Sequence, residues 1–335
     1  MKINLCSLML LTMTFAGSGL AQGVKPLAER QNEFLSWKFG MFIHFNVATF
    51  NERQWANGYE DPATFAPTQL DCGQWADSAK TAGMKYAVLT VKHTGGWCLW
   101  DSLYTVHDIT AFTNYLGGKG DIVRQFVDAF RARGLKVGFY YCLPGDFSRR
   151  ADNKLLFGQT DLHGLPPEAA GNYVGFIKKQ LTELLTHYGP VDLMWFDQYE
   201  NKYTRMQWLK IKAHVQSLQP NCLVIANNST NLMETDIYGY EYPLRKKKFP
   251  GTELPPEQNT NAAEVCNCIT PSGWFWKTNF TEKSVTSAAE VVAMLKLCNA
   301  RHANYLLNVP PNRTGRLPEM LVQRLQEIGK FIGDR

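Results

Sequence analysis

Short apolar runs recur along the chain, and most are followed by a longer stretch with apolar residues every three or four positions. KFGMFIHF (Lys38–Phe45), YAVLTVKH (Tyr86–His93), KVGFYYC (Lys136–Cys142), VDLMWFD (Val191–Asp197), CLVIANN (Cys222–Asn228) and YLLNVP (Tyr305–Pro310) are apolar or aromatic at nearly every position. That density marks strands covered on both faces, since a half-exposed strand alternates. Asp236–Tyr242 and Glu264–Thr270 carry a weaker strand pattern. Helical periodicity falls around Cys72–Gly83, then over Ile122–Gly134, Gly171–Gly189, Lys202–Gln219, Val285–Ala303 and Pro318–Gly333. Gly83, Gly134 and Pro220 stand where helices of this kind stop.

Eight strand candidates, mostly separated by helices, imply a parallel sheet with right-handed crossovers. An open doubly wound sheet and a closed (β/α)8 barrel both satisfy that pattern. No Gly-x-Gly-x-x-Gly follows the first strand and no phosphate loop is present, which removes the usual reason for an open nucleotide-binding sheet. The strand count and the length favour the barrel, as one domain over residues 22–335.

In such a barrel, chemistry belongs at the C-terminal ends of the strands. His44 closes the first strand, Lys92-His93 the second, Tyr140-Tyr141 the third and Asp197 the fourth; Glu241 stands in the sixth and Asn308 ends the last. Asp197 either caps the next helix or stands in a site on the end of a rigid strand. Either histidine alone has a bland reading as a satisfied core side chain. Together the strand ends describe a polar, aromatic-walled pocket with Trp97, Trp100 and Trp195 beside it. Several carboxylates in such a pocket fit glycosidic bond cleavage, which uses two carboxyl groups. No Gly-x-Ser-x-Gly elbow points to a serine hydrolase, and neither Cys98 nor Cys142 has a base arranged nearby in sequence.

Composition narrows the partner. Nine Trp and fourteen Tyr suit stacking on sugar rings as well as core packing. The net charge of +5 is mild, and Arg245-Lys246-Lys247-Lys248 reads as a solvated loop, so nucleic acid is not an expected partner. Lys2, the apolar stretch Leu5–Ala16 and the small residues up to Ala21 form a signal peptide over residues 1–21; the apolar stretch is too short to span a bilayer. The expectation is an exported protein, periplasmic or secreted, with no membrane span. Seven cysteines follow the leader; most sit in apolar segments and read as buried thiols, with room for one disulfide. Cys266-Asn267-Cys268 has no second pair at zinc spacing, so no metal or other cofactor is expected.

WKFGMFIHF, the stretch QWANGYEDPATFAPTQLDCGQWADSAKTAGMKYAVLTVKHTGGWCLW, GLKVGFYYC, VDLMWFDQ, GWFW and YLLNVPPNRTG occur in this order from about Gln31 to the C-terminus. In this set the chain resembles the α-L-fucosidases of glycoside hydrolase family 29. The combination is specific, although no single piece is. The resemblance implies a (β/α)8 catalytic domain that releases terminal α-L-fucose from glycans by a retaining, double-displacement reaction. Many members add a C-terminal β-sandwich, which is not expected after the last helix here.

Position by position, the resemblance matches Asp197 to the family's nucleophile and Trp195 to the Trp two residues before it. His44 matches the His of an FIHW-like segment that bonds sugar hydroxyls, and His93 the first His of a Lys-His-His-Asp-Gly segment. Tyr141 matches a pocket Tyr of the third strand, and Trp55 and Trp97 join the substrate-binding set. The chain departs from the pattern at Thr94-Gly95, at Gln54 where a Glu often precedes Trp55, and near Ile237-Tyr238 where an Arg is frequent. These departures leave open a related sugar such as α-L-galactose, or a sugar-binding barrel without turnover. For the acid/base, Glu241 lies 44 residues after Asp197 (241 − 197), close to the spacing in one branch of the family. Glu264 matches the position used in the other branch, and Glu257 lies between them.

Overall fold

The computed structural model describes residues 23–143, 173–197, 204–241, 253–270 and 273–333. The leader over 1–21 and the basic run at Arg245–Lys248 lie outside the described residues. Eight strands run β1 Phe39–Ile43, β2 Tyr86–Lys92, β3 Lys136–Cys142, β4 Leu193–Asp197, β5 Leu223–Ala226, β6 Ile237–Glu241, β7 Ala263–Cys268 and β8 Ala303–Asn308. Each pairs in parallel with the next, and β8 returns to β1, so the sheet is a closed barrel. The sequence expectation of a (β/α)8 barrel therefore holds.

The helices are α1 Leu27–Trp37, α2 Val47–Phe50, α3 Cys72–Thr81, α4 Ile122–Ala132, α5 Tyr173–His187, α6 Arg205–Leu218, α7 Ala288–Ala300 and α8 Glu319–Gly333. Their starts are written locally. Asp71 caps α3 by accepting from the Gln74 N–H, Asp121 does the same for α4 at Arg124, and Thr204/Gln207 and Ser287/Glu290 form reciprocal capping boxes on α6 and α7. Helix α4 buries Ile122, Val123, Phe126, Val127 and Phe130 on one face, each contributing roughly 1.5–3 kcal/mol of burial. Residues 227–236 carry β5 to β6 without a helix, in keeping with the absence of helical periodicity there.

Helix α1, absent from the sequence expectation, closes the barrel floor. Phe34 and Trp37 pack against Tyr86 with ring centroids 5.8 and 5.4 Å apart, and the Phe34 carbonyl accepts from Asn304 Nδ2 at 2.6 Å. Inside the barrel the period of two sorts the side chains. Leu193 and Trp195 of β4 face inward with Phe42, Tyr140 and Cys266, while Met194 and Phe196 join the core beneath the helices. The seven cysteines among the described residues are free thiols, six of them buried.

Candidate active site

Asp197 is the last residue of β4 and remains half-buried. It does not cap the following helix, because Thr204 does. Its carboxylate is held from two neighbouring strands. Tyr140 Oη donates to Oδ2 at 2.8 Å, and Asn227 Nδ2 donates to Oδ1 at 3.0 Å. Burial first, and the Asp197 charge second, raise the Tyr140 hydroxyl well above the ordinary phenol range, so it stays a donor.

The same Asn227 nitrogen donates to Glu241 Oε2 at 2.9 Å. The two carboxylate oxygens therefore lie no farther apart than the sum of the two bonds, about 5.9 Å. The Glu241 N–H is fixed by Asn228 Oδ1 at 3.0 Å.

The other two glutamates fall elsewhere. Strand register sets Glu264 beside Gly239, one pleat or about 6.6 Å below Glu241 on the inner wall. Glu264 is 1% exposed and accepts from Tyr86 Oη at 2.5 Å and from Trp195 Nε1 at 2.9 Å. Burial raises its carboxyl to about 7, against the pull of those two hydrogen bonds. Trp195 shares the inner face of β4 with Asp197, so Glu264 sits beneath the site instead of beside the nucleophile candidate. Glu257 lies on the surface with its side chain 76% exposed, 3.5 Å from Arg301 Nη2. Of the three glutamates, Glu241 is the one joined to Asp197 through a shared donor.

His44 lies opposite these acids. Its Nδ1 is 2.7 Å from Asn308 Oδ1, while Asn308 Nδ2 donates to the Trp274 carbonyl at 2.7 Å. That second bond orients the amide, so His44 Nδ1 carries the proton and Nε2 presents a lone pair. Burial pulls the imidazole down to about 3, against the Asn308 bond, and it is neutral at ordinary pH. His93 stacks on Tyr140 at 5.3 Å, meets Phe275 edge-on at 4.9 Å, and sits 5.5 Å from His44. Trp274 stacks on His44 at 4.9 Å and Trp195 on Tyr140 at 5.3 Å. Two acids, two imidazoles, a phenol and aromatic walls thus meet at one mouth of the barrel. Such a cup can accept sugar hydroxyls at nitrogen lone pairs and stack C–H faces on rings.

A family model described as Alpha-L-fucosidase matches residues 21–334. The chain belongs to the alpha-L-fucosidase family. It is 28% identical to Alpha-L-fucosidase 1 of Arabidopsis thaliana over 92% of its own length and 60% of that protein's. It superposes on alpha-L-fucosidase isoenzyme 1 from Paenibacillus thiaminolyticus at a TM-score of 0.71 and 27% identity, covering 91% of this chain and 76% of the other. A glycoside hydrolase 29 family member from an unknown rumen bacterium gives a TM-score of 0.69 at 28% identity, covering 91% of this chain and 56% of that one. The chain spans about 60% of the length of the curated relatives it matches.

Against the fucosidase pattern, two expected binding residues are displaced. Tyr141 points out of the barrel: its hydroxyl donates to Gln180 Oε1 at 2.6 Å and accepts from Lys92 Nζ at 2.9 Å. The strand period puts Tyr140 inside instead. Trp97 is buried in the loop after β2, stacked on His107 at 4.1 Å with Nε1 donating to Glu60 at 3.1 Å. Trp100 likewise donates to buried Glu183 at 2.9 Å. Trp55 is 49% exposed and adjoins Gln54.

The departures from the family pattern have local partners. Gln54 Oε1 accepts the Trp274 and Phe275 N–H groups, and its Nε2 donates to the Phe275 carbonyl at 3.2 Å. It clips the GWFW loop that carries Trp274 onto His44. Thr94 Oγ1 lies 3.1 Å from His93 Nδ1. Gly95 has φ +96°, and a Cβ there would meet the Ala56 Cβ at 2.7 Å, so loop 56–58 leaves no room for a side chain at this position. Sequence reasoning did not single out Asn227 or Trp274. Both were within reach: Asn227 follows an apolar run in the same way as Asp197, and Trp274 belongs to the quoted GWFW segment.

Proposed function

We propose that this protein is an exported, exo-acting α-L-fucosidase that cleaves terminal fucose from glycans with retention of configuration. Asp197 attacks the anomeric carbon; the bond to the leaving oxygen breaks as Glu241 gives that oxygen its proton. A water then attacks the glycosyl-enzyme, its proton passing back to Glu241 and the Asp197 carboxylate departing. Asn227 leaves both roles chemically available. Its bond to Glu241 falls on Oε2, so the acidic proton of Glu241 belongs on Oε1. Neutral His44 accepts a sugar hydroxyl at Nε2, and Trp195, Tyr140 and Trp274 wall the ring.

One observation carries the reading: a single amide nitrogen binds one oxygen of each acid. At the roughly 120° between the N–H bonds of an amide, those oxygens stand about 5 Å apart, the spacing retaining glycosidases use. The membership in the fucosidase family supports the sugar.

The test is hydrolysis of aryl α-L-fucosides and α-L-galactosides by the wild type, Asp197→Asn and Glu241→Gln. The expected result is turnover of the fucoside, loss in Asp197→Asn, and survival in Glu241→Gln of activity toward leaving groups that need no proton. Azide added to Glu241→Gln should yield the α-fucosyl azide. Binding without turnover by the wild type assigns a sugar-binding barrel and overturns the enzyme reading. Preference for the galactoside overturns the sugar alone.

A further inference from the structure

We propose that Asn227 is a positioning residue of this reaction, whose side-chain nitrogen holds the Asp197 and Glu241 carboxyls together and favours the ionised form of each. The inference deepens the proposed reading and rests on the roles of those two acids. Four bonds make the case. Asn227 Nδ2 donates to Asp197 Oδ1 at 3.0 Å and to Glu241 Oε2 at 2.9 Å. The Asn227 backbone N–H donates at 2.8 Å to the carbonyl of Phe196, the residue before Asp197. Next door, Asn228 adopts φ +58° and its Oδ1 accepts the Glu241 backbone N–H at 3.0 Å. The short turn after β5 thus grips both acid-bearing strands by main chain and side chain. That turn is 227–236, which holds no helix and carries β5 directly to β6.

The chemistry follows from which forms an amide N–H rewards. A donor stabilises a carboxylate over a carboxylic acid, so each Nδ2 bond favours ionisation of its partner. For Asp197 the bond fixes Oδ1 and so the direction of the nucleophile before attack. For Glu241 it lowers the cost of giving up the proton in the first step. No other side chain among the described residues is bonded to both acids.

The measurement is the pH dependence of kcat and kcat/KM for aryl α-L-fucoside hydrolysis by the wild type, Asn227→Ala and Asn227→Ser, each checked for an intact fold by circular dichroism and thermal melting. Both variants are expected to lose roughly tenfold to a hundredfold in kcat with KM changed far less. Both limbs of the kcat/KM profile are expected to move to higher pH by about one unit, because both acids lose a donor. Asn227→Ser keeps a hydroxyl at the site and serves where the alanine variant does not fold. A folded variant whose limbs stay at wild-type pH overturns the proposal, whatever its rate. Glu241→Gln separates this failure from failure of the underlying reading. If it leaves the high-pH limb in place, Glu241 is not the acid. If it removes that limb while Asn227→Ala shifts neither, the catalytic assignment stands and the Asn227 role falls.

Discussion

The hydroxyl of Tyr140 reaches Oδ2 of Asp197 at 2.8 Å from the neighbouring strand, two residues before the position paired with that acid. The donor is fixed on three sides, stacked on His93 and Trp195 and edged by His44. Its role is to present a preorganised hydrogen bond to the proposed nucleophile. Removing it in Tyr140→Phe should lower kcat by about 10–100-fold while leaving the rings packed, since a hydrogen bond to a charged group contributes roughly 1.5–3 kcal/mol. A kcat within twofold of wild type would remove Tyr140 from the site's chemistry.

Tyr141 supplies the contrast. Its hydroxyl lies between Lys92 Nζ and Gln180 Oε1 on the outer face of the barrel, and the Lys92 nitrogen lies 4.1 Å from its ring centre. Tyr141→Phe should therefore leave KM and kcat within about threefold. It should cost about 1–3 kcal/mol of stability through the buried ammonium's lost acceptor, visible as a lower Tm. A collapse of kcat/KM without a change in Tm would return Tyr141 to the pocket.

That pair shows what a sequence of this kind reveals and what it hides. The six apolar runs and two weaker patterns located every strand to within a few residues, because covering by helices outside and side chains inside leaves few polar positions to confuse the pattern. The placing of Asp197 and His44 at strand ends was legible for the same reason, since a polar side chain stands out where an apolar run stops; Glu241 stood in a weaker strand pattern, as one of three glutamates. The inward or outward sense of a doubly covered strand was not legible, since both faces are apolar; the pattern therefore could not choose between Tyr140 and Tyr141, and the resemblance supplied Tyr141. Glu264 and Glu241 are separated by register, which only closure of the sheet sets. Helix α1, LAERQNEFLSW, buries only Phe34 and Trp37, too few to announce a helix. Trp97 and Trp100 went to buried carboxylates, Glu60 and Glu183, far from them in sequence.

Gln54 is matched to its loop by having both a donor and an acceptor. A glutamate there, ionised, would keep the two N–H partners and set its second oxygen against the Phe275 carbonyl, now 3.2 Å from Nε2. Gln54→Glu is expected to raise KM severalfold, because the GWFW loop places Trp274 against His44; an unmade buried bond costs about 1–3 kcal/mol. Substrate titration of kinetics checks it, and the penalty should ease at low pH as the carboxyl gains a proton. An unchanged KM across pH would mean that the loop holds without the clip.

The pH dependence of stability contains two buried groups that pull in opposite directions. Burial holds the His44 imidazole down to about 3, below its ordinary 6.5. Its contribution is complete above 6.5 and is lost as pH falls toward 3. Burial holds the Glu264 carboxyl up to about 7, above its ordinary 4.5. In the range between those two values the folded protein keeps a proton that the unfolded chain gives up. Its contribution is therefore complete below 4.5 and is lost as pH rises through 7, by about 3 kcal/mol at most. From 4.5 to 6.5 the slopes oppose; from 6.5 to about 7 the Glu264 slope acts with little from His44. Glu264→Gln is tolerable there, because Tyr86 can accept from the new amide while Trp195 still donates to Oε1. Chemical denaturation from pH 4 to 8 should show wild type losing stability relative to Glu264→Gln as pH rises, with the difference levelling off above pH 8. Parallel curves for the two proteins would mean that Glu264 titrates outside this range and stays charged in the fold. The floor of the site would then rest on a carboxylate held by Tyr86 and Trp195 alone.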